Sequence, residues 1–325
     1  MRFILFNAVL LLAASKLCAQ SNNSAVFRFL DVIPTAKAAA LGGNHPGLYN
    51  ADFSLMNVNP AYMSQENSGY WSATYINYLA DANMAITNAA WHVEDLGTLG
   101  VSLRYVGYGD LERYDDAGNA QGSFNASDIA LTGSFSRQLS PRLSIGSSVD
   151  LIYSSYLTYR SNAVALSGGL LYTDKDQNFS AGMTIRNAGT QISTFDRRRE
   201  PLPLDISVGI TKKPEAFPFA LSLSLRKLND WDLRVVGEKE SPEIFDNILR
   251  HVIFGGEAKL GENLDLRFGY DHYLHEQTST DKNIDLAGFA FGVGIKIRTF
   301  RVDISRNAYS RIGGMTQLSI KTQLW

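Results

Sequence analysis

The chain has 325 residues, with 30 basic against 32 acidic side chains and a formal net charge of −2. That balance excludes a nucleic-acid binder working through a basic surface, which needs a cationic footprint. Charged residues are only 19% of the chain, beside 15 Tyr and 17 Phe, so it is short of charge for a fully solvated surface.

Residues 1–19 read as a cleaved signal peptide: Arg2, then an apolar stretch over 3–14, then Ala19 before Gln20. The stretch is too short for a spanning helix. The single cysteine, Cys18, follows Ser15-Lys16-Leu17, a poor context for acylation, and is expected to leave with the leader. No disulfide or thiol chemistry is then expected. No later apolar run approaches the length of a transmembrane helix, so any membrane crossing falls to strands.

Residues 20–68 are expected to form an N-terminal plug or hatch inside or under a barrel. Residues 35–41 (TAKAAAL) are helix-friendly and are stopped by Gly42-Gly43, where a helix end favours a left-handed residue. Ala38, Ala39 and Ala40 are small enough for close approach to a wall. Asn57-Val58-Asn59-Pro60-Ala61 is turn-prone, because Pro60 disfavours helix at Asn59.

Residues 69–325 keep a two-residue beat. Leu143, Ile145, Val149, Leu151 and Tyr153 fall on one face of a strand, and Ser144, Gly146, Ser148 and Asp150 on the other. Fourteen such segments are expected, over 70–79, 82–92, 98–108, 124–139, 142–157, 161–173, 178–187, 202–211, 217–228, 249–260, 263–274, 284–298, 299–307 and 314–325. Tight connections alternate with longer ones at 109–123, 188–201, 229–248, 275–283 and 308–313, the rhythm of short periplasmic turns and long outer loops. The fold class is therefore all-β, a 14-stranded antiparallel transmembrane barrel in the cell outer membrane. Its polar face is mostly Ser, Thr, Gly and Ala, which suits a crowded lumen with no greasy pocket. Ser241-Pro242-Glu243 forms a helix start in the longest outer loop, with Phe245, Ile248 and Leu249 on one apolar face.

No catalytic motif stands out, and the chain is read as non-enzymatic, without cofactor or metal. Asp271-His272-x-x-His275-Glu276 is the best cluster of metal-ligating residue types. In a strand, positions three apart face opposite ways, so a strand leaving into a polar loop is the preferred reading. Asp110, Glu112, Asp115 and Asp116 lack calcium-loop spacing and read as a solvated acidic loop. Arg197-Arg198-Arg199 offers guanidinium groups to lipopolysaccharide phosphate or an acidic partner. Trp325 provides a terminal aromatic, although Gln323, Lys321 and Ser319 occupy the positions in phase with it.

The N-terminal segment also carries a family likeness. Phe29-Leu30-Asp31-Val32-Ile33-Pro34-Thr35-Ala36-Lys37-Ala38-Ala39-Ala40-Leu41-Gly42-Gly43, then Asp52 and Asn59-Pro60-Ala61, resembles the opening of the PorV/PorQ family of type IX secretion proteins of Bacteroidetes. The wider FadL-like outer-membrane proteins share a looser version. Residues 245–251 (FDNILRH) resemble the same family. The resemblance implies a FadL-like barrel acting as a structural subunit of the attachment complex. Its partners would be PorU-, PorV- and PorZ-like proteins and lipopolysaccharide, with cargo chemistry belonging to the PorU-like member. In that role the outer loops would bind partners through Asp115, Asp116, Arg197, Arg198, Arg199, Phe245 and Ile248. The alternative is a FadL-like transporter of hydrophobic solutes.

Overall fold

The computed structural model describes residues 25–77, 82–115, 117–176, 178–215, 217–235, 237–279, 285–309 and 313–324. The expected leader with Cys18, and also Asp116 and Trp325, lie outside the described residues.

Fourteen antiparallel strands close into one barrel. They are β1 (Tyr70–Asn77), β2 (Asn83–Val93), β3 (Gly97–Tyr114), β4 (Ala120–Ser140), β5 (Leu143–Tyr156), β6 (Tyr159–Asp174), β7 (Phe179–Ser193), β8 (Asp205–Lys212), β9 (Phe219–Leu225), β10 (Val252–Leu260), β11 (Leu264–Asp271), β12 (Phe289–Ile297), β13 (Phe300–Ala308) and β14 (Gly314–Gln323). Each pairs with its neighbours in sequence, and β1 meets β14 with Tyr70 opposite Gln323 and Asn77 opposite Thr316. Closure leaves no free edge, as a sheet must where water cannot pair with its backbone. Among the described residues no helix is long and apolar enough to cross a membrane.

The barrel is apolar outside and polar inside. On β5, Leu151 is 56% exposed while its neighbour Asp150 is 2% exposed. The same inversion separates Leu103 from Arg104 and Leu223 from Ser224. A band of exposed Leu, Ile, Val and Phe of this kind is stable only against lipid.

Turns at 94–96, 141–142, 261–263 and 298–299 mark one end of the barrel, where β1 begins and β14 finishes. The other end carries the connections 194–204, 226–251 and 272–288. Residues 109–123, expected as a long loop, are mostly ladder. Leu111 pairs with Phe124 and Glu112 with Ser123 beyond a register shift at Gly107/Asp110, so β3 and β4 stand as a tall hairpin. The wall is therefore high over β3–β7 and low over β8–β12, where the longest loops lie.

Residues 25–69 run across the bore. Helix α1 (Ala36–Ala40) packs on β11 to β14, and the 3-10 turn Pro60–Tyr62 packs on β4 to β6. Thr35 caps α1 by accepting from Ala38 N at 3.2 Å, and Gly42, at φ 89, ends it by donating to the Ala39 carbonyl. Ala38 and Ala39 are fully buried, and Asn307 Nδ2 donates to the Ala39 carbonyl oxygen at 3.0 Å. Pro34, Gly42, Gly43, Asn59 and Pro60 are buried as well. Strand glycines make this contact possible: a Cβ on Gly292 would collide with Ala40, and one on Gly169 with Asn59. The small residues of both partners thus meet face to face.

Candidate functional site: an apolar pocket at the outer mouth

The inward phase is not uniformly polar. Toward the long-loop end Ile76, Met84, Ile86, Val106 and Ile152 point inward and cluster with Phe27, Phe29 and Leu30. The expectation of a lumen without a greasy pocket is therefore corrected. On β1–β3 the inward positions change from Ser72, Thr74, Asn88 and Ser102 to Ile76, Ile86, Met84 and Val106 toward the long-loop end.

Above this cluster a cavity of about 580 Å³ opens between the N-terminal segment and the tall wall. Its walls include Phe27, Ala82, Tyr108, Leu111, Tyr156, Tyr159 and Phe195. The volume lies in the range of small-molecule pockets, roughly 300–1,000 Å³. Phe27 holds a left-handed φ of 57, unusual for a bulky residue, and its ring meets that of Phe195 at 6.2 Å. Val26 N donates to the Pro201 carbonyl at 3.0 Å, tying this end of the segment to the 194–204 loop. The pocket also has polar lining: Tyr108 OH donates to Asp128 Oδ2 at 2.6 Å, and Arg28, Ser154 and Ser155 line it as well. Such a site can take an apolar or aromatic body and present hydrogen-bonding groups to it.

Below the pocket, the bore is crossed by the segment and by buried ion pairs. Arg104 Nη2 lies 2.5 Å from Asp150 Oδ1, and Arg186 Nη2 lies 2.5 Å from Asp205 Oδ2. Arg267 meets Glu257, Asp265 and Asp303 at 2.6, 3.1 and 2.7 Å, with Arg301 bridging the same two aspartates. Spacing along a single strand does not reveal these pairs, because a lone Arg or Asp in a Ser/Thr phase has no visible partner until the strands pair.

The outer-loop residues are dispersed. Asp115 sits at the tip of the β3–β4 hairpin and accepts from Ala117 N at 3.0 Å and Asn119 N at 2.8 Å. The Asn119 N–H holds the Asp115 carboxyl below the usual carboxylate range. Its oxygens serve the turn. Arg197, Arg198 and Arg199 are exposed in the 194–204 loop, beyond Phe195. Helix α2 (Ile244–His251) begins two residues later than a Ser241 cap suggests, with Glu243 at the cap position and no side-chain cap bond. Phe245 is 72% exposed and Ile248 is exposed, whereas Leu249 leaves their face and is half-buried.

The buried side of α2 is polar. Asn247 accepts from Leu233 N at 3.3 Å, and Arg250 Nη1 donates to the Leu233 carbonyl at 2.9 Å. His251 stacks on Trp231 at 5.1 Å. Arg250 also clasps Glu238, with Nη1–Oε2 at 2.6 Å and Nη2–Oε1 at 2.7 Å. The segment after β11, expected to stay extended to 274, is helix α3 (His272–Thr278), started by Asp271 accepting from Leu274 N at 3.1 Å. That capping bond ends the strand, and so His272 and His275 share a side, their rings stacked at 6.1 Å.

No protein-family model matches the sequence, and no curated protein does. Solved structures match in shape. The monoaromatic hydrocarbon channel CymD aligns over 92% of this chain and 99% of its own, with TM-score 0.53 and 15% identity. The Pseudomonas putida toluene transporter TodX aligns over 91% and 99%, with TM-score 0.52 and 13% identity. A Pseudomonas aeruginosa FadL homologue aligns over 90% and 98%, with TM-score 0.52 and 12% identity. With its closed sheet and outward apolar band, the chain is an outer-membrane β-barrel, and its fold is that of these FadL-like proteins.

Proposed function

We propose that this chain is a non-enzymatic outer-membrane channel for small hydrophobic solutes, captured first in the pocket at the outer mouth. The observation that carries this reading is the aromatic-walled cavity of about 580 Å³ between Phe27, Tyr108, Tyr156, Tyr159 and Phe195. Mostly apolar walls with a few polar groups suit a solute carrying little charge. Structures of like fold include proteins described as monoaromatic hydrocarbon channels and a toluene transporter, which supports this substrate class. Residues 25–69 would act as the plug, and passage would require that segment to shift from the wall. The test is binding and liposome uptake of toluene by the purified barrel, beside Phe27→Glu and Phe195→Glu. Loss of both in barrels that remain folded supports the reading. Unchanged binding in both variants rejects it.

A second reading rests on a different surface. Ile244 and Phe245 stand 78% and 72% exposed on α2, flanked by charged residues, the character of an interface hot spot. Here the barrel would be a FadL-like subunit of the type IX secretion attachment complex, holding PorU-, PorV- or PorZ-like proteins, with Arg197–Arg199 on lipopolysaccharide. Its support is the resemblance of residues 29–43, Asp52, Asn59-Pro60-Ala61 and residues 245–251. Crosslinked pull-down from native outer membranes tests it. Loss of a PorZ-like partner in Ile244→Ser/Phe245→Ser favours this reading, and absence of any such partner from the wild type removes it.

A further inference from the structure

Helices α2 and α3 come from two different outer loops, and three side chains of metal-ligating type meet where they touch. Asp246 Oδ1 lies 2.8 Å from His272 Nε2, and Glu276 Oε1 lies 4.0 Å from the same nitrogen. One ligand atom from each residue fits within 4.8 Å of the others. Bonds of about 2.1 Å in a tetrahedral set place donor atoms about 3.4 Å apart, and the two observed separations straddle that value.

The surroundings orient all three donors. His272 and Glu276 are one helical turn apart on α3, so they share a face. Tyr270 OH lies 3.1 Å from His272 Nδ1, the ring nitrogen away from the cluster, and so leaves Nε2 to the site. Arg250 takes the far oxygens: its Nε lies 2.7 Å from Asp246 Oδ2, and its Nη2 lies 3.9 Å from Glu276 Oε2. Each carboxylate therefore has one oxygen toward Arg250 and the other toward His272. Outer partners that fix ligand geometry in this way accompany metal sites. Charge points the same way: Glu238 already occupies Arg250 bidentately, so the carboxylates outnumber the guanidinium they share. The three side chains are 18–33% exposed, which leaves room for water to complete a coordination shell.

We propose that Asp246, His272 and Glu276 form a zinc-class divalent cation site that clasps the 226–251 loop to the 272–288 loop at the barrel mouth. One imidazole and two carboxylates suit such an ion better than calcium, which takes oxygen ligands only. His275 stands outside the site, with its Nδ1 donating to the Ala287 carbonyl at 2.9 Å.

The test uses the full barrel in detergent, stripped with chelator and titrated with Zn²⁺ by calorimetry and against a chromophoric chelator. One Zn²⁺ per chain is expected. Affinity should fall about 100-fold in His272→Ala, at least tenfold in Glu276→Gln, and roughly 10- to 100-fold in Tyr270→Phe, the usual cost of losing an outer partner. His275→Ala should bind as the wild type does. Heat-modifiable migration reports folding, and if His272→Ala does not fold, Glu276→Gln and Tyr270→Phe carry the test. Three results would overturn the site: no Zn²⁺ bound, wild-type affinity in His272→Ala or in Glu276→Gln, or equal losses in His275→Ala and His272→Ala. Ca²⁺ bound in place of Zn²⁺ would reject the assigned class of ion.

Discussion

The carboxamide of Asn59 donates to the Leu170 carbonyl oxygen at 3.1 Å and pins the N-terminal segment to β6. The same side chain donates to the Pro46 carbonyl at 2.8 Å and accepts from Ala61 N at 2.9 Å. It lies where a Cβ on Gly169 would collide with Asn59 Oδ1. Gly169→Val should therefore push the segment from the wall, at a cost of about 1–3 kcal/mol for an overpacked contact. Limited proteolysis should cut within 25–69 while the barrel core survives. An unchanged digestion pattern would mean that the contact does not hold the segment.

The barrel's orientation is directly testable. Gly118 and Arg198 lie at the long-loop end, and Pro141 and Glu215 at the short-turn end. Epitope tags at the first two should be stained on intact cells, and tags at the last two only after permeabilisation. Equal staining of all four would reject this orientation.

Arg104 and Asp150 have side chains only 5% and 3% exposed, and Thr132 Oγ1 also donates to Asp150 at 2.5 Å. Arg104→Met leaves a buried carboxylate without its cation and should cost about 3–5 kcal/mol. Arg104→Met/Asp150→Leu should regain much of that loss, since neither charge then remains. Urea-unfolding midpoints of the three proteins in detergent check this. A single variant as stable as the wild type would mean that the lumen hydrates the pair.

Acid should open the outer loop late. The Arg250 guanidinium beside Glu238 holds that carboxyl below the usual glutamate range. A lowered folded value stabilises the clasp fully above the unfolded value, and this is lost as pH falls through the folded one. The loop should thus stay clasped at about pH 5 and loosen only below the usual glutamate range of about 4.3. Val235 N, which donates to Glu238 Oε2 at 3.0 Å, is the reporter amide for hydrogen exchange. Loss of its protection already at pH 6 would contradict this account.

The strands were legible because their signal is local. The alternation along β5 needs no partner to be read: Val149, Leu151 and Tyr153 against Ser148, Asp150 and Ser154 state a two-faced strand wherever it pairs. Small residues such as Ala39 and Gly42 likewise announce close packing, and both are buried against the wall. What only the tertiary structure decided are relations across the closed sheet. The aromatic pocket joins Phe27 to Tyr108, Tyr156 and Phe195, four residues from separate elements that no spacing rule connects. The Asp246–His272–Glu276 cluster forms because Asp271 caps a helix where alternation suggested more strand. Periodicity determines which face a side chain takes, but closure of the barrel determines which distant faces meet, and the chemistry at the mouth depends on those meetings.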